Sequence, residues 1–263
     1  MINKKFLDLN SDALEKNSIY IKGQPFPHIV IDDFFDSDIL DKILDDFPNN
    51  IKKDGENYDN KAEKKLTLND VTKLSKNTVE FINFLNSSIF IDYLQKLTGI
   101  NETLIPDPYL IGGGLHELKN EGFLNIHADF NRHPKMKLDR RLNILVYLNK
   151  NWKDEFGGQL QLWDKDMIEC KKNIVPIFNR MVIFSTTDTS YHGNPIKVNH
   201  PNSVSRKSVA MYYYTNGRPK AENVIGDHST IFRKRPNSND IDGNVYFKKI
   251  IGKIYLRIKK KID

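Results

Sequence analysis

The chain has 263 residues, enough for one sizeable hydrophobic core with additions around it. Its hydrophobic content of 39% and charged content of 28% are ordinary for a globular protein, and no apolar run approaches the roughly 20 residues that span a bilayer. The single cysteine, Cys170, excludes an intramolecular disulfide framework and a cysteine-based zinc cluster. The N-terminus lacks the apolar run of a signal peptide, so we expect a cytoplasmic protein.

The formal net charge of +6 is concentrated at one end of the chain. Residues 248–263 hold seven basic side chains against one acidic one, so the remainder is close to neutral. Isoleucines recur among these lysines and predict a basic terminal helix. This helix either meets an anionic membrane surface or an acidic partner, or covers the core with its lysines in solvent. The near-neutral remainder shows no basic groove, which argues against a nucleic-acid partner.

Residues 1–103 predict mainly helical support around one early strand at residues 26–34. Beyond that strand, Ser37 can cap a helix that ends at Pro48. A second stretch with helical spacing runs from Val79 to a C-terminal cap at Gly99.

Two polar segments between these elements predict loops. Residues 49–77 are rich in Lys, Asn, Asp and Glu with few apolar anchors, and residues 131–140 have a similar character. Their composition and position suggest that they cover a substrate.

From residue 104 to residue 216 the pattern changes to short strand-like runs separated by turn residues. The clearest runs are residues 142–148, 159–163, 181–185 and 207–214. Many short strands without an intervening long helix favour a mostly β protein with a double-stranded β-helix (jelly roll) core flanked by the N-terminal helices. We expect a single domain of residues 1–263, in which residues 217–263 form a C-terminal extension.

Three residues of the strand-rich part have the chemistry of a metal site. Residues two apart in a strand project to the same face, so His127 and Asp129 can both point into a barrel mouth. His192 lies at the end of a strong strand far along the chain. Two imidazoles and one carboxylate with open coordination positions suit non-haem Fe(II) chemistry. A single His-x-Asp occurs often by chance. The prediction therefore rests on the combination of His127 and Asp129 with His192 and the following Arg206.

Alternation on the last strand places Arg206 and Ser208 on one face. An arginine on an inward face needs a carboxylate, which its planar fork can bind through two hydrogen bonds. Tyr147, on an earlier strand, either adds a hydrogen bond to the same carboxylate or packs in the core.

As a set, these residues resemble the 2-oxoglutarate- and Fe(II)-dependent oxygenase superfamily, in its prolyl-4-hydroxylase-like branch. The resemblance covers residues 104–216 and extends more loosely over the N-terminal strand and helices. The matching blocks are residues 122–130 (Gly-Phe-Leu-Asn-Ile-His-Ala-Asp-Phe), 141–150 (Arg-Leu-Asn-Ile-Leu-Val-Tyr-Leu-Asn-Lys), 157–158 (Gly-Gly), 191–193 (Tyr-His-Gly) and 205–215 (Ser-Arg-Lys-Ser-Val-Ala-Met-Tyr-Tyr-Tyr-Thr).

Carried over by position, the resemblance implies iron held by His127, Asp129 and His192, with Arg206 binding the distal carboxylate of 2-oxoglutarate. It assigns Tyr147 and Ser208 to the same co-substrate. His116, on the preceding strand, is expected to line the pocket.

The resemblance also implies the reaction. An enzyme of this kind uses Fe(II), 2-oxoglutarate and O2, with ascorbate as a reductant. It converts 2-oxoglutarate to succinate while hydroxylating an unactivated C–H bond. The carboxylate of Asp129 favours hydroxylation, because halogenases of this superfamily lack it.

Two departures from the family pattern concern the last strand. Arg206 follows His192 by 14 positions, a long spacing that requires residues 194–205 to bulge out as a loop. Many prolyl hydroxylases have lysine where Arg206 stands, so the arginine does not by itself indicate a collagen-type enzyme.

The sequence does not determine the substrate. The branch favours a prolyl residue of a protein, or free proline; a saccharide or another small metabolite is the alternative, and a nucleic-acid demethylase is disfavoured by the charge distribution. A cupin-like metal-binding isomerase and a binding module without catalysis are rivals from other classes. Neither would consume 2-oxoglutarate. The sequence does not determine the oligomeric state.

Overall fold

The computed structural model describes residues 1–6, 8–222 and 226–243. The predicted basic helix of residues 248–263, and with it the predicted membrane or partner contact, lies outside the described residues. None of the described helices is long and apolar enough to cross a membrane.

Five α-helices lie in the N-terminal part of the described chain, and four short 3-10 turns accompany the described elements. The α-helices are α1 (Leu9–Ile21), α2 (Ser37–Asp45), α3 (Ile51–Asp54), α4 (Lys76–Leu85) and α5 (Ser88–Thr98), and the 3-10 turns are Lys4–Phe6, Val71–Lys73, Asp154–Phe156 and Lys220–Glu222.

The strands of the described residues form one curled, largely antiparallel sheet. They are β1 (His28–Asp32), β2 (Glu56–Asp59), β3 (Glu63–Leu68), β4 (Ile105–Pro106), β5 (Gly114–Leu118), β6 (Phe123–Ala128), β7 (Asp139–Tyr147), β8 (Leu160–Trp163), β9 (Cys170–Ile174), β10 (Arg180–Ser185), β11 (His192–Asn194), β12 (Arg206–Thr215) and β13 (Ile231–Phe232).

The sheet runs in the order β1-β10-β7-β12-β5-β3-β6-β11-β8-β9, while β2 pairs with β3, β4 with β12 and β13 with β6. The sheet curls over on itself. Tyr147 of β7 and Phe184 of β10 share one buried cluster with Leu160 and Leu162 of β8, which lies near the other end of the strand order. This mostly β, jelly-roll-like fold with helical support is the predicted one.

Alternation along the central strands separates two cores. On β12, Val209, Met211 and Tyr213 pack into the large cluster that includes the helices. Ala210 and Tyr212 face the opposite side, together with Phe130. The predicted inward face of the last strand is therefore confirmed, and the helices cover the outer face.

Several N-terminal predictions are confirmed and others are corrected. The early strand and the cap at Gly99, which has a φ of 68°, are as predicted. The cap of α2 is Asp36, whose side chain accepts from the Asp38 backbone N–H, and not Ser37. The stretch before Gly99 is broken into α4 and α5, because Ser75 caps α4 and the chain restarts at Ser88.

The prediction that residues 49–77 form a mobile loop is wrong. They contain α3 and the hairpin of β2 and β3, and β3 pairs with β5 and β6 inside the sheet. One face of this hairpin buries Leu66, while the other carries polar residues, so the apolar alternation that indicates a strand is weak. The division of the chain at residues 103 and 216 stays a prediction.

Candidate metal centre and co-substrate pocket

Sheet register brings the two predicted metal-binding histidines together. His192 of β11 is the direct cross-strand partner of His127 of β6, and their ring centroids lie 4.6 Å apart. Asp129 follows β6 immediately. One ligand atom from each of the three residues lies within 4.8 Å of the others, and all three sit in the interior of the barrel mouth.

Both imidazoles are oriented by the strands that carry them. Nδ1 of His127 lies 2.8 Å from the Asn125 carbonyl, and Nδ1 of His192 lies 2.9 Å from the Ser190 carbonyl. A carbonyl only accepts, so Nδ1–H donates in both rings and each Nε2 keeps its lone pair. Burial, and then the neighbouring His192, lower the pKa of His127, which favours the neutral form that binds a metal.

The third residue, Asp129, lies in a network of donors. The Asn143 amide donates to Oδ2 at 2.7 Å, and Arg140 Nη2 approaches the same oxygen to 3.0 Å. Burial alone would raise the pKa of this carboxyl, but Arg140, followed by His192, outweighs it and holds the pKa well below its usual range. The carboxylate is therefore ionised and ready to bind a cation.

Arg206 and Tyr147 form a second polar group inside the barrel. The guanidinium carbon lies 4.8 Å from the centroid of the Tyr147 ring. Arg206 Nε donates to the Gly158 carbonyl at 3.2 Å and Nη1 donates to the Ser208 hydroxyl at 3.3 Å. Arg206 Nη2 and the Tyr147 hydroxyl are buried without a hydrogen-bond partner among the described residues. Leaving such groups unpaired is costly, so both are suited to bind a ligand that presents acceptor oxygens.

Two glycines make room for this arginine. Gly157 and Gly158 have φ angles of 74° and 70°, which side chains rarely adopt. A Cβ at Gly158 would also lie 3.0 Å from Val198 and 3.5 Å from the Arg206 stem. The Gly-Gly pair thus lets the backbone approach closely enough to accept from the guanidinium.

Ser208 and His116 lie beside the same group. Ser208 of β12 is the cross-strand partner of Tyr147 on one side and of His116 on the other. His116 Nε2 lies 3.0 Å from the Gly112 carbonyl. Burial, with a smaller contribution from the Lys65 charge, lowers the pKa of His116 to about 3, so its ring is neutral at neutral pH.

The loop between β11 and β12 has the predicted place. β11 ends at Asn194 and β12 begins at Arg206, so the long gap is taken up by the intervening loop. The loop stays attached to the barrel, because the Val198 N–H donates to the Gly122 carbonyl at 3.0 Å.

The sequence predicts surface or loop positions for His28 and His133, because each sits beside a proline. The structure corrects this prediction, since both are buried. His28 is 6% exposed, and His133 is fully buried with Nε2 at 3.2 Å from Asp107 Oδ1. Backbone N–H groups of Lys135 and Met136 donate to His133 Nδ1, so the ring donates from Nε2. His133 therefore links the loop after β6 to the chain before β5, and it takes no part in the candidate metal centre.

A cavity of about 290 Å³ opens above His127 and Asp129. The β2–β3 hairpin contributes one wall and β13 another. Its lining includes Glu56, Tyr58, Lys65, Phe130, Tyr212 and Phe232.

Several pocket residues had no recognisable signal in the sequence. Phe232 belongs to a two-residue strand that pairs with His127 across about a hundred residues of chain, so no local pattern indicates it. Arg140 lies in a polar segment that resembles a loop. Asn143 shares a strand face with Tyr147, and that alternation was the available clue.

The residues present fit iron and 2-oxoglutarate. Two neutral imidazoles and a carboxylate are the donor set of non-haem Fe(II) sites with open positions. The unpaired Arg206 and Tyr147 donors match a carboxylate. A curled antiparallel sheet with this pair of sites defines the class of iron-dependent oxygenases that use an oxo-acid co-substrate.

Comparison with known proteins supports this interpretation of the site. Residues 113–214 match the model of the 2OG-Fe(II) oxygenase superfamily. The matched region carries all three candidate metal ligands together with Tyr147 and Arg206. No curated protein matches the chain.

Solved structures share the fold at low sequence identity. A prolyl-4-hydroxylase from Pseudomonas putida is 12% identical, with a TM-score of 0.55 over 80% of this chain and 100% of its own. A prolyl hydroxylase from Trichoplax adhaerens, in complex with a hypoxia inducible factor peptide, is 18% identical, with a TM-score of 0.55 over 81% and 94%. HygX from Streptomyces hygroscopicus, with nickel, 2-oxoglutarate and hygromycin B bound, is 12% identical, with a TM-score of 0.52 over 82% and 97%.

Proposed function

We propose that the protein hydroxylates an unactivated C–H bond of a prolyl residue or of free proline, with conversion of 2-oxoglutarate to succinate. His127, Asp129 and His192 hold Fe(II) in this proposal, and Arg206 and Tyr147 hold the distal carboxylate of 2-oxoglutarate. The observation that carries it is the His-Asp-His cluster in the same barrel as two buried, unpaired donors.

Each side chain has a role that follows from its contacts. Iron and 2-oxoglutarate supply the oxidation when bound. Arg206 offers its free Nη2, and Tyr147 its hydroxyl, as two charge-assisted donors that orient the co-substrate. Ser208 keeps the guanidinium in plane by accepting from Nη1. His116, neutral and in register with Ser208, closes the side of this subsite.

The cavity above the metal ligands is where we place the substrate. Tyr58, Phe130, Tyr212 and Phe232 present aromatic surface that fits a pyrrolidine ring and excludes water from the reacting carbon. The hairpin wall is the segment that the sequence suggested as a substrate cover. The two prolyl hydroxylases of the same fold support a prolyl substrate, and their low identity leaves that choice to experiment.

A second candidate is a sugar-like or amine-bearing small molecule. Among the lining carboxylates, Glu63 pairs with Lys65 at 3.1 Å and Asp129 with Arg140, whereas Glu56 accepts from the Tyr58 hydroxyl. Glu56 has no basic partner among the described residues, so its remaining acceptor capacity is available to hydroxyl or ammonium groups. The structure of HygX with hygromycin B supports such a substrate on this fold.

The direct test is anaerobic titration of the protein with Fe(II) and 2-oxoglutarate, following the visible charge-transfer band of the chelate. We expect the band in the wild type, its loss in Asp129→Ala, and a need for far more 2-oxoglutarate in Arg206→Ala. His133→Gln is the matched control, because His133 is an equally buried, aspartate-paired histidine outside the centre. A folded, iron-loaded protein without the band would favour a metal barrel that does not use 2-oxoglutarate.

Substrate choice is tested by succinate formation in the presence of a prolyl peptide, free L-proline or hygromycin B. Hydroxylation adds one oxygen to the product, which mass spectrometry detects. We expect the prolyl compounds to stimulate turnover most, and stimulation by hygromycin B alone would favour the second candidate. Membrane or acidic partners and the cytoplasmic location stay predictions.

A further inference from the structure

We infer that Asn143 is a positioning residue that selects which oxygen of Asp129 binds the metal. The inference rests on the proposed function, in which Asp129 is an iron ligand. It adds a residue of β7 that makes no contact of its own with the metal.

The amide of Asn143 has a fixed orientation. Its Oδ1 accepts from Arg140 Nε at 2.9 Å and from Arg140 Nη2 at 2.7 Å. A guanidinium only donates, so the oxygen of the amide must face Arg140 and the NH2 group must face Asp129. The 2.7 Å contact to Asp129 Oδ2 is therefore a donation by Asn143 and not an ambiguous amide contact.

Arg140 is itself held rigidly. Its side chain is about 1% exposed, and its guanidinium carbon lies 3.5 Å from the Tyr212 ring centroid and 4.5 Å from that of Phe130. This stacking fixes the plane of the fork that orients Asn143. A rigid aromatic stack thus determines the direction of the amide.

Both donors converge on one carboxylate oxygen. Asn143 and Arg140 reach Asp129 Oδ2, which also lies 3.3 Å from His192 Nε2, whereas Oδ1 lies 3.5 Å from His127 Nε2 and has no such pair of donors among the described residues. Because two donors already engage Oδ2, Oδ1 is the oxygen that keeps its acceptor capacity for the metal. A carboxylate that binds through one oxygen occupies one coordination position, which keeps others available for the co-substrate and oxygen.

The test uses Co(II) as the probe, because its visible spectrum reports coordination number without turnover. Asn143→Leu removes the donor to Asp129 and the acceptor for Arg140 at similar size. Asn143→Asp keeps the acceptor for Arg140, removes the donor to Asp129 and places a second negative charge beside that carboxylate. For both variants we expect about 10- to 100-fold weaker Co(II) binding, the usual effect of losing a residue that orients a ligand. We also expect a weaker, shifted visible band that indicates a higher coordination number.

Asn179→Ala is the matched control. Asn179 is also fully buried, and its amide exchanges hydrogen bonds with Phe35 and reaches Ser37, away from the centre. This variant should lose stability while its Co(II) affinity and spectrum stay those of the wild type. If the Asn143 and Asn179 variants changed Co(II) affinity and the visible spectrum equally, the role of Asn143 would be structural and the inference would be wrong.

Two outcomes separate this inference from the proposed function. If the wild type forms the Fe(II)–2-oxoglutarate band and the folded Asn143 variant binds Co(II) with unchanged affinity and spectrum, the positioning role is wrong and the function stands. If the wild type binds Co(II) but forms no 2-oxoglutarate band, the function fails, while the Asn143 comparison still decides the role of the amide. Should Asn143→Leu not fold, the near-isosteric Asn143→Asp carries the test.

Discussion

His127 and His192 are direct cross-strand partners on the antiparallel strands β6 and β11, and their ring centroids lie 4.6 Å apart. The metal centre is therefore a property of sheet register as much as of residue type. Because side chains alternate with a period of two, a slip of one residue would turn one imidazole out of the barrel.

The first prediction follows from the glycine beside His192. A Cβ at Gly193 would lie 2.7 Å from the Asn125 carbonyl oxygen and 2.8 Å from that of Leu124, so Gly193→Ala must push β11 away from β6. We expect Co(II) or Fe(II) affinity to fall at least about tenfold although all three ligands remain. Equilibrium metal titration measures this, and unchanged affinity would contradict the close packing of the two strands.

The second prediction concerns the co-substrate. A hydrogen bond to a charged group contributes about 1.5–3 kcal/mol, so Tyr147→Phe should weaken 2-oxoglutarate binding by roughly 10- to 100-fold. Arg206→Lys keeps the charge but loses the planar fork and should also bind more weakly. Titration of the charge-transfer band gives both affinities. Arg180→Lys, at an arginine paired with Asp32 outside the site, is the control that should leave them unchanged.

The third prediction concerns metal removal. A ligand that binds the folded state at 100 times its Kd stabilises it by about 2.7 kcal/mol. For a chain of this size, chelation of the metal should lower Tm by roughly 5–10 °C. Thermal unfolding with and without chelator measures the shift, which should disappear in His127→Ala. A shift that persists in that variant would place the stabilising ion elsewhere.

The fourth prediction is a pH effect. Burial lowers the pKa of His116 from 6.5 to about 3, so the unfolded chain takes up a proton more readily than the folded one. This residue therefore makes stability fall as the pH decreases from about 6.5 towards 3, and its contribution is fully present above that window. His116→Gln should be less sensitive to acid over this range. Urea unfolding at pH 7 and pH 5 tests it, and equal loss in both proteins would refute the assignment.

The sequence supported the barrel strands and the metal cluster because the same alternation governs both. Asp129 and His127 are two apart, and Arg206 alternates with residues that pack outward against the helices. The strands β7, β10 and β12 are buried on both faces over most of their length, functional residues included, and their runs of apolar residues make them recognisable from local sequence.

The hairpin of β2 and β3 was missed for a physical reason. Glu56, Tyr58 and Lys65 line the cavity, and their polar side chains make the segment resemble a loop. His133 was misjudged in a similar way, since its burial is satisfied by Asp107 and by backbone N–H groups from its own loop. Both cases depend on partners distant in sequence or on backbone groups, which residue type alone does not indicate.

β13 has a consequence for where the functional unit ends. The family match stops at residue 214, yet Phe232 packs against the His127 ring with centroids 5.6 Å apart, and the Arg233 N–H donates to the Ile126 carbonyl at 2.7 Å. A chain cut after the last barrel strand would keep every metal and co-substrate residue and lose one side of the chamber. If the protein acts as proposed, such a fragment would admit water beside the three candidate ligands, and we expect it to consume 2-oxoglutarate without hydroxylating a substrate.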